Sequence, residues 1–336
     1  MDLYQAILSR RSVRRYGSEP LDKDMLAQID EIVASVRPLV PDNRFRVMRR
    51  DVITGEDLIA AMGGYGRILS PPHYLVGYMI GDRAPLVDLG YRLEQVAVHL
   101  VQAGISVCFI GSLDREANVR VRFRLNRQAR IGAFLIFGRA AETVTGRALN
   151  AVIRRAAGSA SRMASDEIFY KNSFDKPQAP PRRLAKVIEA ARVAPSSQNA
   201  QPWRFLWQDP MLYLFVQKRS NRYGSDPDLQ AYRFFDAGTC MANITMALAS
   251  MDAEAQWTLI EDGTLAPPGF PDTLDDGSAD DPVVLGLDDI DLADQRQVHV
   301  LLPGSEQVDL QGRILRDDSG ERQRPRHGCP DPEQHL

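Results

Sequence analysis

Two short polar clusters hold residue types that can bind phosphate and offer hydrogen-bonding groups to a ligand. The first is Arg10-Arg11-Ser12-Val13-Arg14-Arg15. Guanidinium groups are planar, stay protonated and bind phosphate through two parallel hydrogen bonds. Arg10, Ser12 and Arg14 are two residues apart, so a chain that is extended there, or just leaving a helix, points all three side chains one way. Arg11 belongs to the same run and is counted with it as a binding candidate, although its register, shared with Arg15, suits the surface or an ion pair. The second cluster is Ala194-Pro195-Ser196-Ser197-Gln198-Asn199. Proline ends a helix, and the turn that follows leaves backbone and hydroxyl groups free to meet a ligand. Asn199 supplies both a donor and an acceptor. Taken alone, the arginine run also fits a solvated basic surface, and the second cluster an ordinary polar turn.

The two clusters lie in different copies of an internal repeat. Leu26-Ala-Gln-Ile-Asp-Glu31 aligns without gaps on Leu184-Ala-Lys-Val-Ile-Glu189, and the same shift of 158 places Tyr16 on Phe174, Phe45 on Trp203 and Val47 on Phe205. Asp88-Leu-Gly90 matches Asp236-Ala-Gly238 at a shift of 148, so the connection is shorter in the second copy. Each copy lacks the cluster that the other keeps: Arg10–Arg14 falls on Ile168–Asn172, and Ala194–Asn199 falls on Val36–Pro41. Repetition is sought first because missing it misreads a fold. Here it points to one composite site between the copies.

Arg10-Arg11-Ser12-Val13-Arg14-Arg15-Tyr16, followed by a helix-like stretch and then Ala194-Pro-Ser-Ser-Gln-Asn-Ala-Gln-Pro-Trp203, resembles the FMN-dependent nitroreductase family. The second motif is the more specific. In ordinary members both motifs sit in one copy, and two chains form an obligate homodimer with two flavins at the interface. The split across a tandem repeat resembles the fused "putative TM nitroreductase" branch, in which one chain imitates the dimer; the resemblance covers roughly residues 1–265. It implies an α+β, nitroreductase-like fold of two tandem half-units forming a pseudo-dimer, with one FMN in the crevice between them. It assigns Arg10, Ser12 and Arg14 to the phosphate and ribityl side. It places a backbone N–H near Ile110-Gly111 opposite flavin N5, where glycine permits close approach, and lays Pro195, Ser196, Ser197 and Asn199 over the ring. Thr258 and Leu259, the matching second-copy positions of Ile110 and Gly111, would crowd a ring. Arg162 resembles a further phosphate-touching residue, and equally a surface arginine in an Arg-rich linker. The implied activity carries two electrons from NAD(P)H, a transient reductant, to a small electron-poor acceptor such as a nitroaromatic or quinone. The alternatives are a non-catalytic flavin- or ligand-binding protein and a degenerate pseudoenzyme. A monomer would suffice, and a homo-oligomer remains compatible.

Composition bounds these readings. The chain has 336 residues, 44% of them hydrophobic, with a formal net charge of −3. That balance implies no general attraction to nucleic acid or to an anionic membrane. No run is long and apolar enough to suggest a bilayer span. Cys108, Cys240 and Cys329 have no metal-type spacing, and an odd count argues against a disulfide framework, which suits a reducing cytoplasmic setting. The five histidines are scattered, so no metal is expected, and neither a Gly-x-Gly-x-x-Gly fingerprint nor a P-loop is present.

The elements that must position the clusters follow from periodicity. Residues 3–14 read as a short helix, and Asp22 as the N-cap of a second helix running to about Val36. Strand-like runs cover 43–50, 73–80, 106–110 and 131–137. A further helix covers 55–64, and a long apolar helix covers 85–104. The second copy repeats the order, with a helix at 181–193, a hairpin at 203–208 and 212–217, a long helix at 236–251 and strands at 256–260 and 282–286. The first half is drawn as 1–160, the second as 161–290, and the polar segment 291–336 as a disordered tail.

Overall fold

The computed structural model describes residues 1–51, 54–67, 69–141, 161–208, 211–217, 219–253, 256–260, 283–287 and 298–301. The Arg-rich stretch 142–160, the hairpin tip 209–210 and most of 291–336 lie outside them. The fold is mixed α+β.

The first half begins with α1 (Leu3–Ser9), capped by the Asp2 side chain, which accepts from Gln5 N at 2.8 Å. The helix stops five residues earlier than its periodicity predicts. The reason is a competing partner: Val13 N donates to Val107 O at 2.9 Å, and Ser12 forms a parallel bridge with Val107, so the arginine run leaves the helix extended. Next come α2 (Lys23–Ser35), capped by Asp22 as expected, β1 (Arg44–Asp51), α3 (Gly55–Met62), β2 (His73–Ile80), α4 (Pro85–Gln102), β3 (Ser106–Gly111), α5 (Glu116–Phe123) and β4 (Ala133–Gly138). The sheet is antiparallel in the order β1-β2-β4-β3.

The second half contains α6 (Ser165–Ile168), β5 (Phe169–Lys171), α7 (Arg182–Arg192), β6 (Trp203–Gln208), β7 (Met211–Val216), α8 (Pro227–Gln230), α9 (Tyr232–Ala249), β8 (Thr258–Ile260), β9 (Val283–Leu287) and β10 (Val298–Leu301). Here β6 pairs β7, β7 pairs β9 and β9 pairs β8, all antiparallel, and β5 joins β6 in parallel. Strand for strand, β6-β7-β9-β8 repeats the connectivity of β1-β2-β4-β3. β10 also pairs β9, so Val298–Leu301, whose valines favour a strand, joins the sheet although it lies in the segment drawn as a tail.

The two long helices, α4 and α9, pack against each other at the centre. Their contact is reciprocal: a Cβ on Gly90 would lie 2.1 Å from Phe235 O, and one on Gly238 would lie 2.0 Å from Val87 O. Glycine is required at both positions because each backbone rests on the other. The largest apolar cluster runs through this contact, joining Ile7 and Val98 of the first half to Trp203, Phe205, Met241 and Leu248 of the second. No helix among the described residues is long and apolar enough to cross a membrane.

Candidate functional site

A cavity of about 690 Å³ opens where the two halves meet, within the size range of small-molecule sites. The first half lines it with Ser12 and Arg14 from the extended run, Gly64, Phe109, Ile110 and Gly111 from the end of β3, Asp114, Arg115 and Ala133. The second half contributes Arg162, the whole turn Pro195–Asn199, Tyr223, Leu229 and four residues of α9, namely Tyr232, Phe235, Asp236 and Thr239. Nine of the eleven sequence-selected residues thus border one space: Ser12, Arg14, Ile110, Gly111, Arg162, Pro195, Ser196, Ser197 and Asn199.

The other two lie elsewhere. Arg11 is exposed. Arg10 is buried away from the cavity lining, with its Nε 3.3 Å from Glu94 Oε1. That distance is within ion-pair range, but neither Arg10 Nε and Nη1 nor the two Glu94 oxygens have a hydrogen-bond partner. Burial pushes the Glu94 carboxyl up to about 8, against the opposing charges of Arg10 and Arg162.

Turn 195–201 is held from both sides. From inside, Asp236 accepts the Ser197 amide on both oxygens, at 3.1 and 2.9 Å, and the Tyr223 hydroxyl at 2.7 Å. Thr239 Oγ1 donates to Pro195 O at 2.7 Å. From outside, Arg162 donates to Asn199 Oδ1 and to Val193 O (3.4 Å), and Asn199 Nδ2 donates to Ser161 O at 2.7 Å. Asn199 is therefore spent on holding the 161–162 segment. Gln198, Asn199 and Gln201 all have left-handed backbone, with φ of 51°, 54° and 49°, a conformation that non-glycine residues keep only where surrounding contacts enforce it.

Gly111 needs its missing side chain for a neighbour: a Cβ there would lie 2.2 Å from the Tyr232 hydroxyl. That hydroxyl in turn accepts from Leu113 N at 3.0 Å, while Arg115 donates to Gly111 O at 2.9 Å. Phe109 and Phe235 meet edge to face at 5.7 Å between ring centres. The cavity therefore combines apolar and aromatic walls with three guanidinium groups, those of Arg14, Arg115 and Arg162. Burial pushes Arg162 down to about 10, with Arg10 adding to the effect and Glu94 opposing it. The Asp236 carboxyl is pushed up to about 8 by burial, against the stabilising bonds from Tyr223 and Ser197 and the charge of Arg162.

Sequence reading missed Arg115, Tyr223, Tyr232, Phe235 and Asp236. Only Asp236 had left a signal, because it heads the Asp-x-Gly echo of Asp88. Tyr223 arrives on the connection 217–231, which has a much shorter counterpart in the first half. Among the described residues no group of His, Cys, Asp and Glu could hold a metal ion.

The fold is mixed α+β, with two sheets and a cavity between the halves that carry them. The family model described as "Putative TM nitroreductase" matches residues 2–221, and the chain belongs to that family. No curated protein matches. Similar solved structures include one described as a putative nitroreductase from Thermotoga maritima, 16% identical, covering 76% of this chain and 87% of that one with a TM-score of 0.48. An FMN-dependent nitroreductase from Clostridium difficile is 14% identical and covers 41% and 87%, with a TM-score of 0.36. Nitroreductase A from Vibrio parahaemolyticus is 19% identical and covers 41% and 68%, with a TM-score of 0.37.

Proposed function

We propose that the protein is an FMN-dependent oxidoreductase in which one chain forms a pseudo-dimer with one flavin between its halves. It passes two electrons from NAD(P)H to an electron-poor acceptor such as a nitroaromatic or quinone. The observation that carries this reading is the convergence of the two split motifs on a single cavity. Repeated strand connectivity and the reciprocal Gly90–Gly238 crossing support the pseudo-dimer.

The donor set fits the cofactor. Ser12, Arg14 and Arg162 would hold the phosphate, whose charge and acceptor oxygens match guanidinium and hydroxyl donors. Ile110, Phe109, Phe235 and Pro195 would sandwich the ring, and Ser196 and Ser197 would border its polar edge. Arg10, off the lining, would act on the site only through its charge and that of Glu94 on Arg162. Bound FMN would supply the hydride chemistry, which the side chains do not provide. The chain's own part is to exclude water with aromatic walls, fix the ring's orientation and surround it with positive charge that favours a reduced, anionic state.

One observation favours a second reading, a ligand-binding protein without turnover: the Tyr232 hydroxyl occupies the approach to Gly111. Steady NAD(P)H oxidation with a quinone or nitroaromatic acceptor, by the FMN-loaded protein, separates the two. Turnover supports the oxidoreductase; flavin binding without reduction by NAD(P)H supports the binder.

A further inference from the structure

The two long helices carry equivalent aspartates in unequal settings. Asp88 accepts the Leu39 amide at 2.9 Å, as Asp236 accepts that of Ser197; Leu39 and Ser197 are themselves equivalent in the repeat. Asp88 is then neutralised on the spot, because Arg92 donates to both of its oxygens at 2.9 and 3.0 Å, and Asn43 adds a bond at 3.2 Å. At the position equivalent to Arg92 the second half has Cys240. Asp236 therefore faces the cavity with a backbone amide and a phenol as hydrogen-bond partners, and no described cation lies within ion-pair distance of it.

We propose that Asp236 is the proton-linked positioning residue of this cavity: it holds the Ser197 amide and Tyr223 hydroxyl in both protonation states, and takes up a proton when an anion binds beside Arg162 and Arg14. This deepens the proposed function and rests on it for the identity of the anion. The geometry permits both states. As a carboxylate, Asp236 accepts from Ser197 and Tyr223. As a neutral acid, it donates to the Tyr223 oxygen while still accepting the Ser197 amide. An anion entering the cavity raises the cost of a second negative charge there, and protonation removes that cost.

Three groups stabilise the Asp236 carboxylate: Tyr223, from the connection before α8, and the Ser197 amide by hydrogen bonds, and Arg162, from the segment before α6, by its charge. Tyr232 and Cys240 on the same helix interact with it electrostatically, and Arg14, Asp114 and Arg115 line the facing first-half wall of the cavity. Burial has already brought the carboxyl up to about 8, so its proton can be exchanged near neutral pH.

The test is calorimetric titration of FMN into the full chain at pH 8, in buffers of different ionisation enthalpy. The proposal expects net proton uptake by wild type, a clearly smaller uptake by Asp236→Asn, in which Glu94 is the remaining group raised to about 8, and uptake moved to higher pH in Tyr223→Phe, which loses a bond to the carboxylate. Equal uptake by wild type and Asp236→Asn would overturn it. The Ser197 amide resonance of the ligand-free chain gives an independent reading. A shift with its midpoint near pH 8 that disappears in Asp236→Asn supports the proposal, and a flat response in wild type overturns it. Should FMN fail to bind while the amide titrates, the cofactor assignment falls and the role of Asp236 as a titrating clamp stands.

Discussion

Asp88 and Asp236 sit at matching points of two half-units, each clamping the amide of a matching loop residue, yet one corner is closed and the other borders the cavity. The Asp88 corner is sealed by Arg92, whose guanidinium also reaches Val40 O at 3.1 Å and Asn43 O at 3.2 Å. The Asp236 corner exchanges that arginine for Cys240 and recruits Tyr223 from a longer connection. These changes of side-chain partner separate a sealed corner from one that borders the cavity, while the backbone hydrogen bond that shapes the loop is kept in both. On the proposed pseudo-dimer reading, the same scaffold occurs twice and its polar partners differ so that one corner borders a cavity.

The comparison can be broken first at the closed corner. Arg92→Met leaves Asp88 buried and unpaired, and removing one member of a buried pair costs about 3–5 kcal/mol. Urea unfolding should show this loss. A change below about 1 kcal/mol would mean that Asp88 does not depend on Arg92 as the geometry requires.

The helix crossing sharpens the claim of equivalence. Gly90→Ala and Gly238→Ala each force a methyl onto a carbonyl of the partner helix, at 2.1 and 2.0 Å. Overpacking of this kind costs about 1–3 kcal/mol. The two variants should lose similar amounts in thermal unfolding, and a large disparity would argue against a symmetric crossing.

The open corner also predicts a pH dependence. In the unfolded chain Asp and Glu release their protons near about pH 4, whereas Asp236 and Glu94 hold theirs up to about 8 in the folded chain. Between these limits the folded state binds more protons. Stability therefore falls as pH rises from about 4 to about 8 and levels off above, by on the order of a few kcal/mol per group. Asp236→Asn and Glu94→Gln should each flatten part of that slope, as read from unfolding curves across the range.

The smallest of these effects concerns ligand affinity. Arg14→Ala should weaken FMN binding by about 10- to 100-fold, the equivalent of a charge-assisted hydrogen bond. Arg11→Ala, at an exposed position, should leave it unchanged. Equal losses in both would mean that the arginine run acts only through its total charge.

Much of this was legible in the sequence. The long helices and most strands of both halves followed from periodicity and caps such as Asp22, whereas α5, α6, β5, α8 and β10 did not, and the two split motifs pointed to one shared space. Long-range partners were not legible. Nothing near Arg10 in sequence announced Glu94, and the end of α1 depended on Val107, a hydrogen-bond partner ninety-four residues beyond Val13. Tyr223 and Tyr232 carry no motif; the folded connection before α9 brings Tyr223 to the wall, and the first turn of α9 brings Tyr232. Asn199, read as a ligand-facing amide, is engaged with Ser161 and Arg162, an outcome fixed by the left-handed turn rather than by residue type.

The central claim is that one composite site exists per chain. Its most direct test is the flavin-to-chain ratio of purified protein saturated with FMN and freed of excess. The account predicts one FMN per chain, reduced strongly by Arg14→Ala and by Ser197→Leu in chains that remain folded. Two flavins per chain would contradict the split site, and no flavin at all would contradict the cofactor.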